Sequence, residues 1–358
     1  MIHDRIRRAR VLRGLTLEAL AQRLGDISKQ GLSKFEKGES APNSTRILQL
    51  AKALNVKPEY FFRKEAVALA PLEFRKLAKM PKYRQQQVEE QMREHLERYV
   101  ALELCFDTGE GLGARLAPRQ LPIHSVDDAE HAAQQLRKQL SIGGDAIAHL
   151  TELLEEHGIK VALLDGVADF DGACAATADE QHVLIALNRN RPGERIRVTA
   201  AHELGHWAMA FPPDMPEAQV EHACHRFAGA FLYPADKVVA DFGSHKRFRV
   251  FAAELLNAKR RYGVSMQVAL RRLKDLHLLT DAGYSAAFIE FSTKGWRTAE
   301  PEPLLPEQPR RFESLVFRGL AQDLFSPSRA AEFMQCRAEE LQLLLTLNTA
   351  HRYSHKAI

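Results

Sequence analysis

Cysteine is scarce in this sequence of 358 residues, which contains only four. They lie far apart and include no Cys-x-x-Cys pair: Cys105, Cys174, Cys224 and Cys336. This spacing indicates neither a disulfide framework nor a zinc ribbon. We therefore expect the chain to work in a reducing cytoplasm.

Long hydrophobic runs are also missing. No stretch of about 18 apolar residues occurs, which is roughly the length that a membrane-spanning helix needs. The first ten residues, MIHDRIRRAR, are charged and lack the apolar core of a secretory signal. Hydrophobic residues make up 45% of the chain and charged residues 27%. This balance excludes a wholly disordered chain and predicts a globular protein of at least two domains without a membrane partner.

The net charge is low, +4, but it is unevenly distributed. Residues 1–65 contain 14 Lys and Arg against 7 Asp and Glu, so this part carries +7. The remainder carries 36 basic against 39 acidic residues, so its charge is −3. A small basic module attached to a mildly acidic body indicates a nucleic-acid contact near the amino terminus.

The first 63 residues have the pattern of four short helices and a final turn. Thr16, Ser28 and Ser44 stand where N-caps are expected, and Gly14 and Gly38 stand where helices end. The helices are predicted over residues 4–13, 17–24, 28–37 and 44–54, with the turn ending at Phe61-Phe62.

The rest of the chain predicts a mixed unit between helical segments. A charged helix over 72–106 and a linker over 108–123 precede a helix over 134–158. Strands at 159–164 and 182–187, with helices at 195–211 and 217–233, indicate an α+β unit. From residue 241 the chain is expected to be helical, with a Pro-rich stretch at 300–309 before helices at 313–324 and 329–345.

The predicted fold class is therefore mainly α with a small α+β part. We expect an all-α amino-terminal domain over residues 1–65 and a helical connector and linker over 66–122. An α+β domain over 123–240 and a helical carboxy-terminal region over 241–358 complete the predicted organisation.

The strongest motif is an H-E-x-x-H sequence, His202-Glu203-Leu204-Gly205-His206, on a predicted helix. Four residues are just over one helical turn, so His202 and His206 project from one face and can share a metal ion. Glu203 lies about a hundred degrees round the helix axis, where it can reach a metal-bound water without binding the metal. The motif therefore predicts a zinc site in which Glu203 acts as general base.

A working site of this kind needs a third protein ligand and one open position. The next predicted helix offers Glu221, His222 and His225. We favour Glu221 as the third ligand, with His225 orienting a ligand from the second shell. His222 and His225 remain alternative ligands, and a His-His-Glu set accepts Mn²⁺ as well as Zn²⁺.

The apolar segment His182–Leu187, with Asn188 after it, precedes the motif helix. As an edge strand it could hold an extended peptide beside the metal by main-chain pairing. A buried core strand would have the same sequence pattern. The sequence leaves both interpretations open.

These residues resemble the ImmA/IrrE family of zinc metallopeptidase domains. The matching positions are Ile185 to Asn188, Arg197, Ala201 to His206 and Glu221 to Pro234. The resemblance implies a zincin-like fold, with metal at His202, His206 and Glu221 and with Glu203 as the base. His225 is a departure, because the family usually has Asn or Asp there. The tail resembles a long form of the family at Tyr262–Gln267, Gly295–Arg297 and Glu300-Pro301.

The amino-terminal segment resembles an Xre-type helix-turn-helix module. The matching residues are Leu15–Ala21, Gly25, Ser28–Gly38, Pro42 and Leu50–Leu54. In such a module the second helix of the pair enters the major groove of DNA. The candidate DNA-reading residues are Ser28, Lys29, Gln30, Ser33 and Lys34. A protein-interaction module with a basic face is the alternative. We expect a homodimer on a double-stranded operator, because one module buries too little surface for tight binding.

Two functions follow from these features. In the first, a DNA-binding regulator carries a zinc endopeptidase that cuts a repressor-type protein, as the resemblance implies, and so controls stress or mobile-element genes. In the alternative, the chain is a repressor or antitoxin-like regulator whose metal domain senses a signal without proteolysis. An intact Glu203 favours the first, since a purely sensory site needs no base. A weaker third reading makes the motif a structural helix only.

Overall fold

The computed structural model describes residues 1–63, 80–106, 116–167 and 169–354. Residues 72–79 of the predicted connecting helix and 108–115 of the predicted linker lie outside the described residues. Within these ranges the protein is mainly α-helical with a small α+β part, which confirms the predicted fold class. No helix among them is long and apolar enough to cross a lipid bilayer.

Helices account for most of the described chain. In chain order they are α1 (Ile2–Leu12), α2 (Leu17–Leu24), α3 (Lys29–Lys37), α4 (Ser44–Leu54), α5 (Lys82–Glu103), α6 (Asp128–Gln139), α7 (Leu150–Glu156), α8 (Gly193–Ala208), α9 (Glu217–Leu232), α10 (Ala235–Phe242), α11 (Ala252–Tyr262), α12 (Met266–Asp275), α13 (Asp281–Thr293), α14 (Arg311–Ala321), α15 (Pro327–Phe333) and α16 (Ala338–Ser354). A 3-10 helix, Pro58–Phe62, follows α4.

Short strands form two small sheets. The strands are β1 (Leu121–Pro122), β2 (Ile159–Leu164), β3 (Gly172–Ala176), β4 (Val183–Asn188) and β5 (Met209–Ala210). One sheet has the order β2-β4-β3, and β1 pairs with β5 in the other. β2 runs parallel to β4, with Ile159 opposite Val183 and Leu164 opposite Asn188.

The chain divides into two compact units. The first comprises residues 1–112, 176–182 and 310–358, and the second comprises residues 113–175 and 183–309. The first unit therefore contains α1 to α5 and α14 to α16, and the second contains α6 to α13 with nearly all of both sheets. The segment boundaries predicted at residues 65, 122 and 240 stay a prediction.

Side-chain caps set the starts of the amino-terminal helices. Thr16 and Ser28 each accept a hydrogen bond from the backbone N–H three residues later, at 3.0 and 3.2 Å. α2 and α3 therefore begin where the sequence predicts, because these bonds satisfy N–H groups that lack a partner within the helix. The cap of α4 is Asn43, whose side chain accepts from the Arg46 N–H at 2.8 Å. The prediction of Ser44 as the cap was wrong.

Buried ion pairs hold α1 against α5 in the first unit. Arg5 Nη1 donates to Glu97 at 2.7 Å. Arg8 pairs with Glu90 and, at 2.9 Å, with the other oxygen of Glu97. All four residues are buried. Buried charges are costly to separate from their partners, so these pairs fix α1 to α5.

The last helices also pack on α5. α5, α14, α15 and α16 share one apolar cluster that includes Tyr99, Leu102, Val316, Phe333 and Leu341. The single helix predicted over 329–345 was wrong, because the chain leaves the helical conformation at Gln335, where φ is 53°. α15 and α16 therefore replace it.

One further prediction for the second unit was wrong, and one strand was missed. The helix predicted over 134–158 is interrupted between α6 and α7, where Ser141 and Gly143 have φ values of 56° and 57°. β3 was not predicted, because its sequence of Gly, Ala and Cys lacks the β-branched and aromatic residues that favour strands.

The sequence left open whether the apolar segment His182–Leu187 forms an edge strand or a buried core strand. Most of this segment lies in β4. Within the described chain it lies between β2 and β3, and all six of its residues are buried. The core-strand interpretation is therefore correct for residues 183–188. β2 and β3, on either side of β4, are the edge strands of that sheet in the described chain.

Candidate metal centre and nucleic-acid interface

α8 carries the H-E-x-x-H motif, and charged residues anchor its amino-terminal end. Lys259 is fully buried, and its Nζ lies 2.7 Å from Glu194 Oε1 and 3.2 Å from Glu300 Oε2. One turn further along α8, Arg197 pairs with Glu307. Because both clusters include buried charges, a shift of the helix would cost ion pairs as well as packing.

Sequence reasoning missed the role of Glu300 and Glu307. Both belong to the Pro-rich stretch 300–309, which was predicted only to separate helices. Glu307 is 110 residues from its partner Arg197, so no local pattern links the two. The available signal was the presence of acidic residues in a stretch with no helical or strand periodicity.

The two histidines of the motif face each other across one helical turn. His202 Nε2 and His206 Nε2 are 3.2 Å apart. His202 is 7% exposed and Glu203 is 3% exposed, so the central turn of α8 is nearly closed to solvent. The neighbouring Gly205 permits close packing, since a Cβ at this position would lie 3.0 Å from Phe227 Cδ1 on α9.

Glu221 on α9 points its carboxylate at both histidines. Its Oε2 lies 3.3 Å from His202 Nε2, and its Oε1 lies 3.3 Å from His206 Nε2. The carboxylate is half-buried. Two imidazole nitrogens and one carboxylate therefore meet within a few ångströms of one another.

His225 lies one turn after Glu221 and next to the same group. Its ring centroid is 4.3 Å from that of His202, and the two rings are inclined at 44°. A ligand atom of His225 lies within 4.8 Å of ligand atoms of His202 and Glu221. The pKa of His225 is lowered to about 4, although solvent reaches part of the residue. The largest cause is the loss of hydration among the surrounding protein atoms, and electrostatic repulsion from His202 is the next. The ring is therefore neutral near pH 7, which is the form that binds metals.

His222 lies on the same helix but is exposed, and it is not among the three residues whose ligand atoms lie within 4.8 Å of one another. Of the ligands that the sequence left open, the structure thus brings Glu221 closest to both motif histidines and places His225 next to His202. His222 lies outside this group.

The donor set fits a divalent transition metal. Neutral imidazole and carboxylate are common zinc ligands, and three such donors on two rigid helices leave room for a fourth ligand. The 3.2 and 3.3 Å separations between the donor atoms match those expected of atoms that share an ion at about 2.0–2.2 Å. The His/Glu cluster could therefore hold a metal ion without rearrangement of the helices.

α3 presents its candidate DNA-reading residues to solvent. Lys29, Gln30 and Lys34 are exposed, Ser33 is half-buried, and Leu32 is the helix's buried residue. Ser28 is exposed as well, although its hydroxyl is engaged in capping the helix. An exposed polar face above a single buried anchor is the arrangement needed to place side chains against base edges.

Ion pairs hold the helices around α3. Arg10 on α1 binds Glu36 at the end of α3 through two contacts, of 2.6 and 2.7 Å. Arg46 on α4 donates to Asp26 in the turn before α3 at 2.6 Å. The same hydrogen bond holds the pKa of Asp26 below its usual range. α3 is thus oriented by contacts at both of its ends.

Two family models match this chain. The helix-turn-helix model matches residues 6–61, and the IrrE N-terminal-like domain model of the M78 peptidases matches residues 154–274. The chain joins a helix-turn-helix domain to an IrrE-like domain. The first match runs from within α1 into the 3-10 helix after α4, and the second contains both the H-E-x-x-H motif and Glu221.

One curated relative is described as a transcriptional regulator. It is an uncharacterized transcriptional regulator in the ATPase CF(0) region of Rhodospirillum rubrum, 38% identical over 61 residues. The match covers 17% of this chain and 56% of that protein, so the chain spans only about half of the relative's length. A helix-turn-helix domain implies DNA binding for this chain.

Proposed function

We propose that the IrrE-like domain is a zinc-dependent endopeptidase that cuts a repressor-type protein, in a chain that also regulates transcription from its own operator. The convergence of His202, His206 and Glu221 within 3.3 Å carries this proposal. Glu203 supports it, because a site without hydrolytic chemistry needs no buried glutamate next to His202 in the chain. Control of stress or mobile-element genes would follow from loss of the repressor.

In this proposal His202, His206 and Glu221 hold the ion. Zinc, when bound, polarises the scissile carbonyl and acidifies the attacking water. Glu203 accepts the proton of that water on its carboxylate and then donates it to the leaving amine. Glu203 is buried, which restricts the motion of its side chain. Manganese is the alternative ion, since the donor set accepts it too.

The DNA-binding part of the proposal rests on α3. In this proposal Gln30 would read adenine, and Lys29 or Lys34 would reach guanine or phosphate. Ser33 would contact either a base or a phosphate, and Ser28 is a further candidate contact. A homodimer on an inverted repeat supplies the buried area that a single module lacks.

The alternative is a regulator whose metal domain senses a signal without cutting a protein. The position of His225 favours it, because a fourth protein ligand beside His202 would close the coordination sphere. Closed sites with four protein ligands are typical of structural zinc, whereas catalytic sites keep an open position. The decisive question is whether proteins are cut.

The test compares protein cleavage by the zinc-loaded wild-type chain and by the zinc-loaded Glu203→Gln variant. Each is incubated with a lysate that contains the repressors encoded near the gene for this chain. Glu217→Gln, which changes an exposed carboxylate on α9, is the matched control. We expect fragments with the wild type and with the control, and at least about 100-fold fewer with Glu203→Gln. DNA binding, followed in parallel, should be the same in all three.

Fragments that appear equally with Glu203→Gln would contradict the assignment of the base. If the wild type cuts nothing while all three forms bind one operator, the sensing alternative replaces the peptidase. A His225→Asn variant sharpens this outcome: gain of cleavage in that variant would identify His225 as the group that closes the site.

A further inference from the structure

A cavity of about 220 Å³ lies beside the candidate metal centre in the second unit. Residues of α8, α9 and α12, together with Val126 just before α6, form its walls. We propose that this cavity binds a large apolar side chain of the protein substrate, next to the bond that is cut. The inference rests on the proposed peptidase function and adds the class of residue that the enzyme selects.

The position of the cavity connects it to the donors. Val198 lines the cavity and precedes His202 by four residues, so the two lie on the same face of α8. His225, one turn after Glu221 on α9, lines it as well. The cavity therefore adjoins the turns of α8 and α9 that carry the donors, so a peptide held at the donors would have a neighbouring side chain within reach of it.

The walls of the cavity are mainly apolar. Val126, Val198 and Val268 come from three different segments of the chain, and Gly229 contributes no side chain. A Cβ at Gly229 would lie 2.9 Å from Arg272 Cδ, so a larger residue there would displace the Arg272 side chain. An apolar side chain that enters this space loses water contact on most of its surface, which is favourable.

Three arginines also border the cavity, and they raise the alternative of an acidic side chain. Arg272 binds both oxygens of Glu130, at 2.6 and 2.7 Å. The other two guanidinium groups have acidic partners as well: Arg226 binds Asp127 at 2.7 Å and Arg271 binds Asp275 at 2.8 Å.

Because each positive charge is already balanced, an incoming carboxylate would have to compete with an existing ion pair. An apolar side chain needs no such exchange. The charges around the cavity therefore favour an apolar occupant over an acidic one.

The size of the cavity indicates which apolar residues fit. A dry cavity of about 150 Å³ is sufficient to bind benzene. A cavity of about 220 Å³ accommodates the side chain of Leu, Ile, Met or Phe. Small residues such as Ala or Ser would leave most of it empty and gain little, so the enzyme should discriminate against them.

The first test measures cleavage preferences. A mixture of peptides from an unfolded proteome is treated with the zinc-loaded full chain, and the residues flanking each cut are sequenced. We expect Leu, Ile, Met and Phe to exceed Ala and Ser by about tenfold or more at one flanking position. Val198→Phe, which fills the cavity, should remove that preference, and Val268→Phe repeats the test from α12. Val239→Phe, at an exposed valine on α10, is the control and should retain the preference.

The second test does not depend on cleavage. Zinc-loaded Glu203→Gln chain, labelled at the valine methyl groups, is titrated with N-acetyl-L-leucinamide and with N-acetyl-L-alaninamide. We expect the leucine probe to shift the methyl signals of valines that line the cavity and to bind at least tenfold more tightly than the alanine probe. In the Glu203→Gln chain, the second substitution Val198→Phe should weaken binding of the leucine probe at least tenfold. The second substitution Val239→Phe should leave this binding unchanged.

The two tests separate the inference from the proposed function. If no peptide is cut but the leucine probe binds as expected, the peptidase proposal fails and the apolar site stands. Cleavage with no preference for large apolar residues overturns the inference and leaves the peptidase intact. Probe binding that is equal in the Val198→Phe and Val239→Phe chains overturns it as well.

Discussion

α3 and α8 carry the two proposed functions, and they use their residues in opposite ways. Leu32 is the buried residue among the nine of α3, whereas twelve of the sixteen residues of α8 are buried. The exposed candidate DNA-reading residues of α3, Lys29, Gln30 and Lys34, face solvent and contribute little to packing. The histidines and the glutamate of α8 lie inside the unit, where function and stability depend on the same atoms.

This difference predicts how the two helices respond to substitution. A change on the exposed face of α3 should alter DNA binding and leave the free energy of unfolding almost unchanged. A change on α8 should affect packing, metal binding or both, because the neighbouring atoms leave no room for a different side chain. The following experiments test this contrast.

The largest effect is expected from loss of a donor on α8. His206→Ala should weaken zinc binding by at least about 100-fold, since loss of a group that only orients a ligand already costs roughly 10- to 100-fold. Competition with a zinc chelator measures the affinity. His222→Ala removes the same side chain from an exposed position on α9 and should bind zinc as the wild type does. Equal weakening in both variants would contradict the assignment of the donors.

Overpacking of α8 should have the next largest effect. Gly205→Val would push methyl groups against Phe227 and should lower the free energy of unfolding by about 1–3 kcal/mol. Lys34→Val introduces the same side chain on α3 and should change it by less than about 0.5 kcal/mol. Urea denaturation of both variants measures the difference. Similar losses in the two would remove the contrast between the helices.

Substitutions on the exposed face of α3 should weaken DNA binding. Gln30→Ala should cost about 1–3 kcal/mol of binding free energy and relax the preference at one base pair. Lys34→Ala should weaken binding to all sequences if it contacts phosphate, and should reduce the salt dependence by about one ion. Fluorescence anisotropy at several salt concentrations distinguishes these effects. Unchanged DNA binding in both variants would favour the protein-interaction alternative.

The smallest effect should come from the cap of α3. Ser28→Ala removes the hydrogen bond to the backbone three residues later and should cost about 1 kcal/mol of stability. Thr16→Ala at the start of α2 should cost a similar amount, since it makes the same kind of bond. Thermal unfolding measures both. No change in either variant would show that these caps do not stabilise the module.

Much of the amino-terminal module could be predicted from the sequence because local signals determine it. Thr16 and Ser28 cap the helices that they precede, and Gly25 and Gly38 end them in the left-handed conformation. The error at Ser44 has the same local origin. Asn43 and Ser44 are both good caps, and the choice between them depends on how the preceding loop enters the helix.

The candidate metal centre could be predicted in part, because helical periodicity places His202 and His206 on one face. Periodicity did not decide between Glu221 and the two histidines that follow on α9. That choice depends on how α9 packs on α8, which Gly205 and Phe227 set through close contact. The structure supplies this non-local information and brings Glu221 to the motif.

Other features were beyond prediction because their partners are distant in the chain. Glu300 and Glu307 reach α8 from a stretch with no regular pattern. The central position of β4 follows from pairing with β2 and β3, which the alternation of apolar residues does not encode. The break near Gly143 was visible as a Gly-Gly pair, but the apolar periodicity around it suggested a continuous helix.

The most direct test of the metal centre is the anomalous scattering of zinc in crystals of the zinc-loaded chain. We predict one zinc ion about 2.0–2.1 Å from His202 Nε2 and His206 Nε2, and about 2.0–2.2 Å from a carboxylate oxygen of Glu221. The fourth position should be open to solvent and not filled by His225. Zinc bound elsewhere, or no zinc at these residues at full loading, would contradict the account.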